Sequence, residues 1–161
     1  MTSAAERPSA LPRIAIDAMG GDFAPANIVE GAVNLIRQSG EIARLILVGD
    51  ADAIRAELRR LGAPEADFEI VHAQQRVSME EAGADSFRKK RDSSLAVATR
   101  LVRDGSAGGV FTAGNTGAMV TAGMLNLGRL SGVVRPALAA PIPSRGEVPC
   151  SVILDVGATA D

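Results

Sequence analysis

The sequence has no Trp, no Tyr and only four Phe among its 161 residues. Aromatic side chains are the surfaces on which single-stranded nucleic acids stack, so their scarcity counts against that class of protein. The net charge also counts against nucleic-acid binding, because 17 basic and 19 acidic residues give a net charge of -2. We therefore expect no nucleic-acid partner, and we expect a core of aliphatic side chains, for which the 47% hydrophobic content is sufficient.

Cysteine and histidine occur once each, as Cys150 and His72. A single cysteine excludes an internal disulfide, and two such ligands are too few for a structural zinc site. We therefore expect no metal and a reducing, cytoplasmic environment. Cys150 follows a proline at the start of an apolar strand, which predicts a buried, inert thiol. His72, at a strand end, is either a general acid or base or a purely structural residue.

Two segments raise the question of targeting or membrane insertion. Residues 1–12 are polar and lack the continuous apolar stretch of a secretion signal, so we expect a flexible leader followed by a domain over residues 13–161. Residues 107–128 form an uncharged stretch that is long enough to span a bilayer. The glycines and asparagines within that stretch favour a strand, a turn and a helix instead.

Short apolar runs alternate with helical periods along the chain. This alternation predicts a three-layer α/β/α fold with a largely parallel sheet. The predicted strands are 14–16, 44–48, 68–71 and 109–112. The predicted helices begin near Pro25, after Asp50, at Ser94 and at Thr116. Residues 74–91 form an irregular excursion or a short helix, and residues 137–140 and 152–154 form a hairpin-like antiparallel excursion.

The carboxyl ends of parallel strands gather ligands, and here they lead into loops rich in Gly, Asp and Asn. The first is 17–22, in which Asp17, Gly20 and Gly21 are candidate substrate-binding residues. Asp17 has an alternative use, which is to hold its own loop together through backbone amides. A second candidate in such a loop is Asp155, after the last strand.

The loop 113–117 is the second chemical feature. Gly114 and Gly117 allow a close backbone approach to a ligand, and Asn115 or Thr116 is suited to cap a helix or to donate a hydrogen bond. The alternative is a tight turn that leads into a closely packed helix. The loop has neither the Lys nor the spacing of a P-loop, and the chain lacks a dinucleotide-binding glycine fingerprint.

The chain's two lysines are adjacent, in the run Arg88-Lys89-Lys90-Arg91, whereas the other fifteen cations are arginine. We place the run at the start of the helix that begins at Ser94. Cations are unfavourable in the first turn of a helix unless an anion lies among them, so the run predicts a phosphate or another acidic group. A solvated charged face is the alternative.

Six segments, in order, resemble the bacterial phosphate acyltransferase family, from Arg13 to Asp161. They are 14–22, 47–50, 70–73, 88–94, 113–118 and 154–158. The resemblance implies transfer of a fatty acyl group from acyl carrier protein to inorganic phosphate in phospholipid biosynthesis, with no cofactor, by a homodimer with an isocitrate dehydrogenase-like or phosphate acetyltransferase-like fold. Members of this family are considerably longer, so the resemblance implies that this chain is an amino-terminal portion. It also implies a cytoplasmic protein that associates peripherally with the membrane through the missing carboxyl-terminal part. Phe23 stands where the family suggests histidine.

Phosphate can itself attack a thioester, so the predicted mechanism needs positioning and charge neutralisation and no protein nucleophile. We assign Lys89, Lys90 and Asn115 to catalysis. The predicted substrate-binding residues are Asp17, Gly20, Gly21, Arg91, Ser93, Ser94, Gly114, Thr116, Gly117 and Asp155. The same cations would alternatively dock the acidic carrier protein. Two other function classes stay open, namely a non-catalytic carrier-binding fragment and a nicotinamide-dependent oxidoreductase of the isocitrate dehydrogenase type.

Overall fold

The computed structural model describes residues 11–40, 42–81, 83–134, 137–145 and 150–154. The strands are β1 (Arg13–Asp17), β2 (Arg44–Gly49), β3 (Glu69–His72), β4 (Gly109–Phe111), β5 (Ala139–Pro143) and β6 (Cys150–Leu154). The helices are α1 (Ala26–Ser39), α2 (Ala51–Arg60), α3 (Gly83–Lys89), α4 (Ser94–Arg103) and α5 (Thr116–Ala122). A 3-10 turn (Glu65–Asp67) precedes β3, and a π-helical segment (Gly123–Leu127) continues α5.

The first four strands form a parallel sheet in the order β3-β2-β1-β4. β2 is buried from its second residue onward, as expected for a strand covered on both faces. Its side chains alternate between two cores. Leu45 and Leu47 pack in the core that includes α1 and α2, and Ile46 and Val48 pack in the core that includes α4.

This arrangement confirms the predicted three-layer α/β/α fold with its parallel sheet. The helix after Pro25 begins at Ala26 and buries Val29, Ala32 and Val33. The next helix is capped by Asp50, whose Oδ1 accepts hydrogen bonds from two amides of the first turn at 3.0 and 3.1 Å. Each predicted strand of the sheet is found within a residue or two of its predicted bounds.

The predicted excursion is an antiparallel pair of strands in which Ala139 faces Leu154 and Pro143 faces Cys150. Cys150 itself is exposed, so the prediction of a buried thiol was wrong. The strand is apolar, as its sequence indicates, but all its residues are exposed, since it pairs with β5 and lies outside the four-stranded sheet.

Two findings on the described residues concern the membrane and metals. None of the described helices combines the length and the apolar character needed to cross a bilayer. The described residues also contain no group of three or more His, Cys, Asp or Glu side chains that could hold a metal ion. Residues 1–10 of the predicted leader, as well as Asp155, lie outside the described residues.

Candidate functional site

The candidate site lies at the carboxyl ends of β1 and β4. The chain forms β1, β2 and β3 in one direction across the sheet and then returns to place β4 on the other side of β1. The connections that follow these two neighbouring strands therefore lead to opposite faces of the sheet, and a reversal of this kind is the position at which open α/β sheets form a ligand-binding crevice. Ligands of open α/β sheets bind in such crevices.

Asp17 connects the two loops. It is the last residue of β1, is only 3% exposed, and its Oδ2 accepts a hydrogen bond of 2.8 Å from Thr112 Oγ1, just beyond β4. Thr112 Oγ1 in turn accepts a hydrogen bond of 3.0 Å from the amide of Gly114. Oδ1 of Asp17 accepts from the amide of Met19 at 3.2 Å. The carboxylate thus holds its own loop, as the structural alternative predicted, and the neighbouring loop as well.

The backbones of the two loops approach each other at Gly20 and Gly114. A Cβ atom on Gly20 would lie 2.6 Å from Thr112 Oγ1, 2.7 Å from Asp17 Oδ2 and 3.0 Å from the Gly114 amide nitrogen. A Cβ atom on Gly114 would lie 3.1 Å from Gly20 Cα. Gly21 has φ +106°, a conformation that other residues rarely adopt. The glycines at these positions therefore allow the loops to pack against each other.

Burial raises the pKa of the Asp17 carboxyl above its ordinary value of 3.8, because the protein interior disfavours the charged form. Hydrogen bonds from the Ser94 and Thr112 side chains and from the amides of Met19 and Gly20 act in the opposite direction. Burial has the larger effect. Asp17 is therefore a carboxyl group whose ionisation carries a cost in the folded protein.

This raised pKa predicts a pH dependence of stability. The folded chain holds the Asp17 proton more tightly than the unfolded chain does. The raised pKa therefore adds to the free energy of unfolding; this stabilisation is full below pH 3.8 and is lost as the pH rises through the folded pKa. Asn cannot ionise, so the melting temperature of Asp17→Asn minus that of the wild type should increase from pH 3.8 to the folded pKa. Above the folded pKa this difference should stay constant. Thermal unfolding followed at several pH values measures this difference. Asp22→Asn changes an exposed carboxylate of the same loop and serves as the control; equal pH profiles for Asp17→Asn and the wild type would contradict the assignment.

Asn115 fastens the loop after β4 to the segment 76–81. Its Oδ1 accepts a hydrogen bond of 3.0 Å from the Ala118 amide, which caps α5. Its Nδ2 donates to three backbone carbonyls of the segment 76–81: Ser78 O at 3.4 Å, Met79 O at 3.2 Å and Glu81 O at 2.9 Å. Both ends of the amide are engaged within the protein, so the observed contacts make Asn115 a positioning residue.

Lys90 also holds the segment 76–81. Its Nζ lies 2.6 Å from Glu81 Oε1 and donates to the carbonyl oxygen of Arg76 at 3.0 Å. Both side chains of this ion pair are about one-third exposed or less. Segment 76–81 is therefore fixed by Lys90 and Asn115, two of the predicted catalytic residues, at two separate points.

The structure corrects the predicted position of the basic run. Arg88 and Lys89 lie in the last turn of α3, and α4 begins at Ser94, four residues after the intervening segment starts at Lys90. Cations are favourable at the carboxyl end of a helix, where the dipole is negative and carbonyls are unpaired. The position of the run therefore does not require a bound anion, and the prediction built on an unfavourable helix start was wrong in that respect.

Ser93 and Ser94 are buried at the start of α4, with 0% and 2% exposure. Ser93 Oγ accepts a hydrogen bond from Ala96 N at 3.3 Å and caps the helix, and Ser94 N donates to Gln75 O at 2.9 Å. Thr116 and Gly117 are exposed at the start of α5. Of the predicted site residues, Asp17, Gly20, Gly21 and Gly114 meet directly at the crevice.

A cleft of 260 Å³ opens between the loop after β1 and the segment 76–81. Its lining residues are Met19, Gly21, Asp22, Arg76, Val77, Ser78, Met79 and Glu80. Arg76 provides a cation at this cleft, and neither Arg76 nor Thr112 was predicted from the sequence as a site residue. Thr112 could have been found as the polar residue directly before the glycine loop; no pattern in the polar stretch around Arg76 identifies that residue.

The fold is that of a phosphotransacetylase-like α/β protein. The structure is similar to a phosphotransacetylase from Streptococcus pyogenes, with a TM-score of 0.64 at 18% sequence identity, over 88% of this chain and 46% of that one. It is also similar to the EutD phosphotransacetylase from Staphylococcus aureus, with a TM-score of 0.60 at 16% identity, over 94% and 48% of the two chains. At these identities the likeness establishes the fold.

The sequence comparisons establish the family. The family model described as "Fatty acid synthesis protein" matches residues 12–161, and the chain belongs to that family. Curated relatives named phosphate acyltransferase include those of Oleidesulfovibrio alaskensis, 51% identical over 95% of this chain, and Dictyoglomus turgidum, 41% identical over 92%. The chain spans 43% and 44% of the lengths of these two relatives.

Proposed function

We propose that the full-length protein transfers a fatty acyl group from acyl carrier protein to inorganic phosphate, forming the acyl phosphate used in phospholipid biosynthesis. The observation that carries the proposal is the crevice of this phosphotransacetylase-like fold, where the Gly20 and Gly114 loops and a cleft containing Arg76 lie together. Family membership and the names of the curated relatives support transfer of an acyl group to phosphate. The carrier as acyl donor is the more specific part of the proposal.

The residues at the crevice suit direct displacement. A phosphate oxygen attacks the thioester carbonyl carbon, a tetrahedral intermediate forms, and the carbon–sulfur bond breaks to release the carrier thiolate and acyl phosphate. The reaction needs the two anionic reactants held together and their charge balanced. Arg76 supplies a cation in the cleft, and Lys89 is exposed at the end of α3, next to the Lys90 that fixes the segment 76–81.

Asp17 has a supporting part in this proposal. Its carboxylate positions Thr112, and Thr112 positions the amide of Gly114. The Asp17 carboxylate therefore positions the backbone of the loop after β4, against which we place the substrate. The remaining substrate-binding residues proposed from the sequence are Gly21, Arg91, Ser93, Ser94, Thr116, Gly117 and Asp155. A homodimer and peripheral membrane association of the full-length protein belong to the same proposal and are supported by the family resemblance alone.

The test is an assay of acyl phosphate formed from acyl carrier protein thioester and inorganic phosphate, with the 161-residue chain and with a full-length relative. Because one charge near a bound phosphate contributes about 1.4 kcal/mol, we expect Lys89→Ala in the full-length protein to raise the phosphate KM about tenfold. Because the Lys89 side chain is exposed, the Lys89→Ala variant should have the melting temperature of the wild type. Lys90→Ala should lower the melting temperature as well, since it releases Glu81 and Arg76 O.

Each result of the assay has a defined meaning. Acyl phosphate from neither protein would overturn the proposed function. Product from the longer protein alone would support the function and show that the 161 residues are insufficient for it. An unchanged phosphate KM in Lys89→Ala would remove that residue from the phosphate site while leaving the reaction in place.

A further inference from the structure

A second cleft, of 350 Å³, lies where the end of α3, the body of α4 and the π-helical segment meet. Its lining residues are Phe87, Arg88, Arg91, Ala96, Arg100, Arg103, Leu125 and Asn126. We call it the arginine cleft. Four of its eight lining residues are arginine and none is acidic, in a chain whose net charge is -2, so the cations are concentrated locally.

The arginines are arranged as two pairs, each spaced by three residues. Arg88 and Arg91 belong to the end of α3 and the following turn, and Arg100 and Arg103 to the last turn of α4. Arg100 Nη1 donates a hydrogen bond of 2.5 Å to the carbonyl oxygen of Arg91. This bond ties the two elements together and keeps both pairs on one surface.

Little of this positive charge is neutralised within the chain. Arg103 forms an ion pair of 2.8 Å with Asp104, which also attracts Arg100. Arg88 and Arg91 are exposed, and in the described ranges neither of them is within ion-pairing distance of a carboxylate. The surface therefore presents two cations that are available for charges on another molecule.

The cleft also has an apolar component. Phe87 is 6% exposed and forms part of its wall, and Leu125, on the π-helical segment, is 57% exposed. Asn126 is engaged within the protein, since its Nδ2 donates to Thr99 Oγ1 at 2.7 Å. A ligand that fits this surface would combine acidic groups with at least one apolar side chain.

The form of the cleft favours a protein partner over a small anion. A pocket for a small anion has buried donors converging on one point, whereas here Arg88, Arg91 and Arg103 are exposed on two elements. Cations spaced by three residues match carboxylates spaced by three or four residues along a helix. Arginine also binds carboxylates in a bidentate manner, which gives such pairs geometric specificity.

We propose that the arginine cleft docks an acidic amphipathic helix of the carrier protein that delivers the acyl thioester, with carboxylates against the arginines and an apolar side chain against Leu125. This inference rests on the proposed function, because it assigns the surface to the acyl donor. The run 88–91 connects the two sites: Lys90 fixes the segment that lines the cleft of the candidate site, and Arg88 and Arg91 face the arginine cleft. A carrier docked there lies next to the segment that borders the crevice.

The experiment uses the full-length protein with two acyl donors, the acylated carrier protein and a small acyl thioester of pantetheine. In the double variant Arg88→Ala/Arg103→Ala we expect kcat/KM for the carrier to fall at least about tenfold at low salt, and the salt dependence to weaken. The value for the small thioester should stay within twofold of the wild type. Arg44→Ala/Arg59→Ala removes two exposed arginines elsewhere and is the matched control.

The donors separate failure of the docking proposal from failure of the proposed function. If the wild type forms no acyl phosphate from either donor, the proposed function is wrong and the docking proposal falls with it. If the wild type is active and the cleft variant uses the carrier as well as the control variant does, the docking proposal alone is wrong. Equal losses with both donors at an unchanged melting temperature would also contradict docking.

Discussion

Gly20→Ala is expected to destabilise the protein by about 1–3 kcal/mol, the usual cost of forcing atoms into a packed interior. The added methyl group would meet Thr112 Oγ1 at 2.6 Å and Asp17 Oδ2 at 2.7 Å, so the loops after β1 and β4 would have to separate. Because the loop after β1 also lines the cleft of the candidate site, the proposed function predicts that acyl phosphate formation by the full-length protein falls at least about a hundredfold. Chemical denaturation measures the first effect and the phosphate acyltransferase assay the second.

Gly31→Ala is the matched control for this substitution. Gly31 lies within α1, and a Cβ atom placed on it would have no other atom within 4 Å. Alanine is favoured over glycine in a helix interior by about 1 kcal/mol, so this variant should be more stable than the wild type and fully active. A Gly20→Ala protein with wild-type stability and turnover would show that the two loops do not need their close approach.

Asn115→Ala is expected to cost about 2–3 kcal/mol, since it removes the cap of α5 and the hydrogen bonds that Asn115 donates to the carbonyl oxygens of Ser78 and Glu81. The loss should concentrate in the segment 76–81. Hydrogen exchange of the amides in that segment should accelerate far more than exchange in β2. Turnover should fall with it, because this segment lines the cleft of the candidate site.

Asn115→Asp separates the two roles of the side chain. Aspartate caps helices as well as asparagine does, so the bond to Ala118 N would be kept. The amide donors would be replaced by a charged oxygen facing the carbonyls of Ser78, Met79 and Glu81. We therefore expect Asn115→Asp to be at least as damaging as Asn115→Ala; wild-type stability in the aspartate variant would mean that the cap is the main contribution.

Most of the fold could be predicted from the sequence because its strands are short apolar runs and its helices have one apolar face. β2 and α1 are examples, with near-continuous apolar residues in the first and Val29, Ala32 and Val33 buried on one face of the second. The loop residues Asp17, Gly20 and Gly114 were identified for a related reason, since parallel strands bring their carboxyl ends to one edge. Residues at the carboxyl ends of neighbouring parallel strands can therefore be predicted to lie close together from the order of the strands alone.

The parts that were missed depend on contacts between distant segments. α3 is only seven residues long in a polar stretch with weak periodicity, so the basic run was placed at the start of the next helix when it lies at the end of this one. The bonds of Asp17 with Thr112 and of Asn115 with Glu81 are tertiary contacts without a local signal. The exposure of Cys150 follows from the position of its hairpin, which the strand pattern does not specify.

The bond between Thr112 and Asp17 joins residues 95 positions apart in the chain. The strands β1, β2 and β3 can assemble from nearby parts of the sequence, but the crevice requires β4 to arrive beside β1 after the long return. Contacts of such separation form late, because closing the intervening loop carries an entropic cost. During synthesis, the two loops of the candidate site therefore cannot meet until residues beyond 114 have left the ribosome, so the bond between Thr112 and Asp17 would report that β4 has joined the sheet beside β1.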